Sequence, residues 1–338
     1  MDHVAVPSLR TVVTGAAGFI GVNLVRSLLA QGRSETIAID NVSRGSSKYL
    51  EGLPLKLVHA DLRDYGQTRR AIEGAESVFH LAARVGGVDY LHGSSRAELE
   101  ALQSNVAIDT NVLRACVEGG VGKLVYASSV SIYPIHKQSV TGAKFSEEDL
   151  QPVNPEGGYG WAKLLGEVQL AHMEGVRSGA ARIFNAYGEY SQWGKSAQVV
   201  PALVRKAIHY PAEDFVVWGD GTQTRNMLYI SDCIDALLRI EARARYPPLV
   251  LNIGNPDTVT VREIAETIAR ISGKQMQIHY DPSKPVGPMS RIPVIRRAEK
   301  ELGWAPKVSL ATGVSRTFEW MRGEIEGSET GVDSKMGL

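Results

Sequence analysis

Residues Thr14–Gly21 read TGAAGFIG and contain three glycines at three-residue spacing: Gly15, Gly18 and Gly21. The stretch follows a short apolar run, Arg10–Thr14, and leads into Ile20–Ala30, whose apolar residues recur with helical spacing. In a strand–turn–helix unit, the first glycine permits a tight turn and the second lets the backbone approach a pyrophosphate, while the third allows close helix–strand packing. The amides at the helix start then face the anion. The stretch therefore predicts a βαβ unit that holds a dinucleotide at its turn.

A carboxylate follows the glycines at the distance that such a site requires. The next predicted strand, Thr36–Ile39, leads directly to Asp40, about 20 residues beyond the glycine turn. A carboxylate there accepts hydrogen bonds from the adenosine ribose and repels a 2′-phosphate. The predicted cofactor is therefore NAD rather than NADP.

Short strand-like runs alternate with helical patterns through the first half of the chain. The further candidate strands are Lys56–His59, Ser77–His80 and Lys123–Ala127, and a helical stretch, Arg96–Val117, separates the last two. This alternation predicts a parallel sheet with right-handed crossovers, in a Rossmann-type doubly wound α/β fold. We expect an NAD-binding domain over residues 1–183 and a smaller mixed α/β lobe over 184–330, with the chain free to cross between them. Residues 331–338 are predicted to form a flexible tail.

Composition excludes several classes of protein and partner. The 338 residues carry 37 basic and 37 acidic side chains, and 43% are hydrophobic, which is typical of a globular protein. A neutral balance argues against nucleic acid or an anionic membrane as a partner. Two cysteines and eight histidines show no metal-ligand spacing, so we expect no metal and a reducing, cytoplasmic compartment.

A serine, a tyrosine and a lysine suggest the chemistry. Ser129 follows the predicted fifth strand, and Tyr159 and Lys163 are four residues apart, so they share one face of a helix. An ammonium and a bound nicotinamide near a phenol lower its pKa, so that the tyrosine accepts a proton from a substrate hydroxyl as hydride leaves. Ser129 would hold the same hydroxyl.

With these motifs the chain resembles the extended short-chain dehydrogenases/reductases, in the branch of nucleotide-sugar epimerases and dehydratases. The resemblance runs from TGAAGFIG to LGWAP at Leu302–Pro306 and includes HADL, HLAA, RIFNAYG and GDGTQTRN. It implies catalysis by Ser129, Tyr159 and Lys163. It also implies a cofactor site formed by Gly15, Gly18, Phe19, Ile20, Gly21, Asp40, Asn41, Asp61, Leu62, Leu81, Ala82, Ala83, Asn105, Tyr159 and Lys163. The substrate, a nucleotide-diphosphate sugar, would contact Gly86, Ser129, Asn185, Arg225 and Arg291, with the two arginines on the diphosphate.

The residues after Ser129 discriminate between reactions of this branch. Dehydratases of the branch carry an Asp-Glu pair there and decarboxylases a glutamate, whereas this chain has Val130 and Ser131. Dehydration and decarboxylation are therefore disfavoured. A keto-sugar reductase of the same family is a further alternative, which Asp40 disfavours because such reductases generally prefer NADP.

Two epimerase hypotheses remain, and both pass through a transient 4-keto sugar. A 4-epimerase needs only the serine, tyrosine and lysine with NAD. Several stretches, among them SSVSIYP and WGDGTQTR, are more similar to GDP-mannose 3,5-epimerases. Those enzymes have a catalytic cysteine where this chain has Ser131, and Lys195 is the candidate second acid/base. The sequence leaves the inverted carbon, the nucleotide and the hexose open.

The resemblance also implies a homodimer. Helices corresponding to Arg96–Val117 and Tyr159–Gly175 form a four-helix dimer interface in the family.

Overall fold

A seven-stranded parallel sheet forms the centre of the computed structural model, which describes residues 9–86, 91, 93–138, 140–194, 197–284, 286 and 291–333. Its strands are β1 (Thr11–Thr14), β2 (Thr36–Asp40), β3 (Lys56–His59), β4 (Ser77–His80), β5 (Lys123–Ser129), β6 (Arg177–Ile183) and β7 (Leu249–Ile253). Their order across the sheet is β7-β6-β5-β4-β1-β2-β3. The predicted doubly wound parallel sheet is thereby confirmed.

The order of the strands reverses between β1 and β4. The chain runs outward from β1 through β2 to β3, then crosses back to place β4 on the other side of β1. Thr14, the last residue of β1, lies opposite Ile39 on one side and His80 on the other. In open α/β sheets, ligands bind beyond the carboxyl ends of the strands at such a switch point. The glycine turn occupies this position.

Helices cover the sheet and build the second lobe. Within the described residues they are α1 (Phe19–Ala30), α2 (Tyr65–Ile72), α3 (Ser95–Glu118), α4 (Ile135–Gln138), α5 (Gly157–Ala171), α6 (Val199–His209), α7 (Ile230–Arg243), α8 (Val261–Ser272), α9 (Arg296–Leu302) and α10 (Leu310–Asp333). Short 3₁₀ helices lie at Ser47–Tyr49 and Val130–Ile132. Local sequence sets several of these ends: Asp64 and Ser94 cap α2 and α3, and Thr260 with Glu263 forms a capping box on α8.

Small two-stranded pieces accompany the later helices. Their strands are Lys144–Phe145 with Ile292–Pro293, Ala186–Tyr187 with Leu228–Tyr229, Val216–Trp218 with His279–Asp281, and Thr224–Arg225 with Val259–Thr260. One apolar core joins these pieces to the sheet, because buried residues of α1, α6, α7, α8 and α10 belong to a single cluster. The second lobe is therefore packed onto the dinucleotide half.

The predicted strands and helices up to Ser129 match the structure to within two residues at each end, whereas the helix predicted over Tyr159–Gly175 runs from Gly157 to Ala171. β5 is longer than predicted and continues to Ser129, which places the serine at the edge of the sheet. β7 lies in the segment 184–330, so the chain does return to the sheet from the second lobe. The last helix, α10, continues to Asp333 and so enters the segment 331–338 that the sequence predicts to be a tail.

No helix among the described residues is long and apolar enough to cross a membrane.

The glycine turn offers a direct test of its packing. A Cβ on Gly21, inside α1, would lie 2.1 Å from the Gly15 carbonyl oxygen and 2.7 Å from the Ala16 Cα, so backbone would have to move. We expect Gly21→Ala to lower the free energy of unfolding by about 1–3 kcal/mol, measured by urea titration. The control is Gly323→Ala in α10, whose Cβ meets nothing within 4 Å and which should gain roughly 0.5–1 kcal/mol from helix propensity. Equal behaviour of the two variants would contradict the packing argument.

Candidate active site

The glycine turn is built by close backbone contacts. Gly15 has φ +68°, and a Cβ on it would lie 2.7 Å from the Ala82 amide nitrogen. Gly18 is the N-cap of α1 and has no side chain to cover the amides of the first turn, where Phe19 and Ile20 lie. The helix start is therefore open to an anion at the carboxyl edge of the sheet.

Carboxylates flank the turn on the side where adenosine is expected. Asp40 accepts hydrogen bonds from the Ala17 amide at 2.9 Å and the Val42 amide at 2.7 Å, which fixes it over the turn. Asn41 accepts a bond from the Ser43 amide. Asp61, beside Leu62, forms an ion pair with Arg63 at 2.5 Å, and this bond lowers the pKa of Asp61. All four predicted residues thus lie at the ends of β2 and β3.

A buried chain of side chains runs from the glycine turn to α3. The Thr14 hydroxyl accepts the amides of Leu81 and Ala82, each at 3.2 Å, and lies 2.8 Å from His80 Nδ1. His80 Nε2 lies 3.0 Å from Asp109 Oδ1. Burial lowers the pKa of His80, so it is neutral, donates from Nε2 to the carboxylate and accepts the Thr14 proton at Nδ1.

Lys163 completes this network and is buried with it. Its Nζ lies 3.7 Å from Asp109 Oδ1 and 4.6 Å from the centre of the Tyr126 ring, whose hydroxyl donates to Asp109 at 2.6 Å. At 3.7 Å the ammonium is within ion-pair range but beyond hydrogen-bond distance. Among the described residues, Nζ has no hydrogen-bond partner. A buried cationic donor without an acceptor is the mark of a position that a ligand oxygen completes.

Ser129 and Tyr159 lie beside this lysine. Ser129 ends β5, and its hydroxyl accepts the Ser131 amide at 3.1 Å. Burial raises the pKa of Tyr159, and the nearby Ser129 hydroxyl opposes this in part. The phenol is therefore protonated in the protein without ligands. The structure thus brings together all three residues predicted to act as a unit.

Glycines allow the helix that carries Tyr159 and Lys163 to approach its neighbours. A Cβ on Gly158 would lie 2.3 Å from the Glu98 carbonyl oxygen, and one on Gly160 would lie 2.3 Å from the Ser131 carbonyl oxygen. At the other face, a Cβ on Gly166 would lie 2.1 Å from the Tyr126 hydroxyl. Close packing on both sides fixes the direction in which Tyr159 and Lys163 point.

Asn105 positions the segment that follows β4. Its side chain accepts the Arg84 amide at 2.7 Å and donates to the carbonyls of Arg84 and Ala101 at 3.0 and 2.8 Å. These bonds hold the backbone next to Leu81–Ala83, the predicted cofactor lining. Gly86 follows in the same half-buried segment.

These residues fit a dinucleotide with a nicotinamide ribose at Lys163. The turn offers open helix amides, Asp40 lies over it, and the buried Lys163 ammonium lacks a hydrogen-bond acceptor among the described residues. The fit rests on charge and geometry within this chain.

Three of the residues predicted to contact the substrate line one small cavity. Asn185, Arg225 and Arg291, with Thr224, surround a volume of about 30 Å³. Asn185 has φ +42°, and its buried Nδ2 has no hydrogen-bond partner among the described residues. Burial, and after it the charge of Arg291, lowers the pKa of Arg225 to about 10. Two close guanidiniums and an unsatisfied amide form a site for an anion with several oxygens.

One carboxylate at this cavity escaped the sequence analysis. Glu156 accepts hydrogen bonds from Arg291 Nη2 at 2.5 Å and from Ser131 Oγ at 3.1 Å, both on Oε2. A charged residue directly before the glycines of GGYG was the available signal. Lys195, the predicted second acid/base, lies outside the described residues.

Asp109 was missed as well, because a carboxylate within a helical pattern ordinarily predicts an exposed face. The described residues contain no cluster of three or more histidine, cysteine or acidic side chains that could hold a metal.

Comparisons with known proteins agree with this geometry. The model of the "NAD dependent epimerase/dehydratase family" matches residues 11–254. GDP-mannose 3,5-epimerase 1 of Oryza sativa subsp. japonica is 32% identical over 330 residues, covering 96% of this chain and 85% of that protein.

Solved structures show the same architecture. UDP-glucose 4-epimerase of Thermotoga maritima, with UDP-glucose, has a TM-score of 0.82 and 26% identity, covering 93% of this chain and 99% of that one. UDP-glucose 4-epimerase of Thermus thermophilus, in complex with NAD, has a TM-score of 0.80, 26% identity and the same coverage. These matches confirm the resemblance predicted from the sequence motifs. The chain belongs to the NAD dependent epimerase/dehydratase family.

Proposed function

We propose that this protein is an NAD-dependent nucleotide-sugar epimerase that acts through a transient 4-keto sugar. The observation that carries the proposal is the buried Lys163 ammonium, which lacks a hydrogen-bond acceptor among the described residues and lies on the same helix as Tyr159. Asp109, His80 and Thr14 link Lys163 to the glycine turn. Glu156 links Ser131, two residues after Ser129, to Arg291 of the cavity.

Each residue has a role that its surroundings support. Bound NAD would accept hydride from C4 of the sugar and return it in the same turnover. Tyr159 takes the proton of the C4 hydroxyl and gives it back, and Ser129, whose hydroxyl lies near enough to act on the Tyr159 pKa, holds that hydroxyl. Because the Tyr159 pKa is raised in the protein alone, the positive charge that activates the phenol has to arrive with the cofactor.

The diphosphate of the substrate is assigned to the arginine cavity. Arg225 and Arg291 bring two guanidiniums to one cavity, close enough for the charge of Arg291 to lower the pKa of Arg225. Two guanidiniums side by side suit a diphosphate, because each can bind its oxygens bidentately. The NAD-linked and UDP-glucose-bound relatives are consistent with this assignment.

A reductase or a dehydratase is the competing function. Val130 and Ser131 form the 3₁₀ helix after Ser129 and bring no carboxylate of their own to the substrate. Asp40 is fixed over the turn where a 2′-phosphate would otherwise lie. Both observations favour an epimerase that keeps its NAD.

A homodimer is part of the proposal. Trp161, Leu165 and Val168 lie on one face of α5 and are half-exposed, and Leu99 on the adjoining α3 is exposed as well. Contiguous apolar surface of this kind marks an interface. The two cysteines, Cys116 and Cys233, are free and buried, which fits the cytoplasmic location that the sequence predicts.

Removing the Tyr159 hydroxyl tests whether this tyrosine is the proton acceptor. We expect Tyr159→Phe to lower kcat by about 10²–10⁴-fold, since the proton acceptor is lost, while the NAD content of the purified protein stays unchanged. The matched control is Tyr246→Phe, a half-exposed tyrosine whose hydroxyl bonds the Ala171 carbonyl. If Tyr159→Phe turned over substrate about as fast as the control, Tyr159 would not be the proton acceptor.

Removing the charge of Asp109 tests the pairing with Lys163. Burial lowers the pKa of Lys163 and Asp109 raises it, so Asp109→Asn lowers it further. A lysine with a depressed folded-state pKa costs stability below that pKa, and the cost fades as pH rises toward the unfolded value near 10.4. We expect a loss of about 3–5 kcal/mol near neutral pH, measured by urea unfolding, that narrows as pH is raised.

Asp235→Asn is the control for this pH dependence. Asp235 pairs with Arg239, a half-exposed arginine on the same helix. Its loss should be at most about 0.5 kcal/mol and constant with pH. A constant deficit in Asp109→Asn would show that Lys163 does not depend on Asp109.

A charge on the apolar face tests the dimer. Trp161→Lys should convert the protein from a species of twice 36.7 kDa to the monomer, as read by light scattering after size exclusion. Leu57→Lys, on the outer strand β3, places the same charge at another exposed apolar position and should leave the mass unchanged. A monomeric unaltered protein would refute the dimer.

A further inference from the structure

Glu156 lies at the junction of the catalytic residues and the arginine cavity. Its Oε2 accepts the Ser131 hydroxyl at 3.1 Å and Arg291 Nη2 at 2.5 Å, and its backbone amide donates to the Ser131 carbonyl at 2.8 Å. Its charge also acts on Tyr159, whose pKa it helps to raise. The carboxylate therefore borders both the reacting hydroxyl and the predicted diphosphate.

The Glu156 side chain does not act as a helix cap. It occupies the N-cap of α5, but its side chain makes no capping bond. The amide of Gly158 in that first turn instead donates to Glu98 of α3 at 2.5 Å. Glu98 caps the first turn of α5, and the Glu156 side chain bonds Ser131 and Arg291 instead. This placement suits a role toward the ligand better than a role as a helix cap.

Ser131 connects this carboxylate to the substrate position. It follows Ser129 by two residues, and its amide donates to the Ser129 hydroxyl oxygen, so both hydroxyls belong to the same tight turn beside Tyr159. A serine hydroxyl alone is a poor base, because its own proton has to leave as it accepts another. Hydrogen-bonded to Glu156, it can pass that proton on in the same step.

We propose that Ser131 and Glu156 form a second proton-transfer pair that acts on a carbon next to the C4 carbonyl. This inference rests on the proposed function, which supplies the ketone. In the step, the C–H bond at C3 or C5 breaks, its proton goes to Ser131 Oγ, and the Ser131 proton goes to Glu156 Oε2. The electron pair of the broken bond forms a C=C bond to C4, and the carbonyl oxygen becomes an enolate that Tyr159 stabilises by donating its proton in a hydrogen bond. The reverse transfer restores the ketone.

Arg291 ties this pair to substrate binding. Its guanidinium holds the same Glu156 oxygen that accepts the Ser131 proton. The guanidinium also lines the cavity of Arg225 and Asn185. A diphosphate in that cavity competes for Arg291 and leaves Oε2 free to take the proton. Proton transfer at carbon is then coupled to occupation of the anion site.

The test follows deuterium and cofactor separately. The protein with its bound NAD is incubated in deuterated water with UDP-, GDP-, CDP-, dTDP- and ADP-hexoses, including GDP-mannose and UDP-glucose. Deuterium in the sugar is located by NMR, and reduction of the bound cofactor is followed by its absorbance. The unaltered protein should incorporate deuterium at C3 or C5. Glu156→Gln and Ser131→Ala should slow incorporation at saturating substrate by about 100-fold or more but still reduce the bound cofactor.

Two further variants separate proton transfer from a structural role. Ser131→Cys in the Glu156→Gln background should recover incorporation, since a thiol carries a proton without the carboxylate. Glu148→Gln, an exposed carboxylate that pairs with Arg297 at 3.7 Å, should behave as the unaltered protein. Failure of the cysteine to restore exchange would assign Glu156 a structural role and overturn the inference.

The remaining outcomes distinguish the Ser131–Glu156 pair from the proposed epimerase activity. Stereochemical change at C4 without deuterium would overturn the Ser131–Glu156 pair and leave the proposed epimerase standing. Unchanged exchange in Glu156→Gln would do the same. Neither cofactor reduction nor conversion with any sugar of the panel would overturn the proposed function itself, and this inference with it.

Discussion

The buried charge of Lys163 is the constraint on which the site depends. An isolated ammonium in a protein interior is too costly to maintain, so the surrounding structure has to supply a compensating charge. Asp109 on α3 does so at 3.7 Å, and it is held in turn by His80 and Tyr126 from two neighbouring strands. Lys163 is therefore fixed by three separate elements, and none of them is adjacent to it in sequence.

The same chain of contacts reaches the cofactor turn. His80 bonds Thr14, and Thr14 holds the amides of Leu81 and Ala82, which lie against Gly15. A shift of the turn would thus move the histidine and, through Asp109, the charge next to Lys163. The electrostatics of the lysine and the geometry of the dinucleotide turn are consequences of one hydrogen-bonded network.

The sequence predicted those features that short-range rules determine. The glycine spacing, the strand ends and the four-residue step from Tyr159 to Lys163 are local, and each was found where expected. Asp109 and Glu156 were missed because their roles come from partners 29 and 25 residues away, His80 and Ser131. From sequence alone, a carboxylate in a helical pattern is predicted to be exposed, and only the fold shows which groups it faces. For the same reason, local sequence patterns could not predict that the sheet and the later helices share one apolar core.

Glu156 differs from Asp109 in what its charge does. Asp109 is enclosed and neutralises a cation that stays in place, so its contribution is the same in every state of the site. Glu156 is paired with an arginine that also lines the anion cavity, so its partner is contested as soon as an anion enters. Asp109 therefore compensates the charge of Lys163 on α5, whereas the charge that compensates Glu156 depends on whether an anion binds Arg291. The neutral total of 37 basic and 37 acidic side chains gives no hint of this division. It emerges only when burial and partners are considered: Lys163 and Asp109 are each 1% exposed, whereas Arg291 and Glu156 are 15% and 14% exposed and Arg291 also lines the cavity.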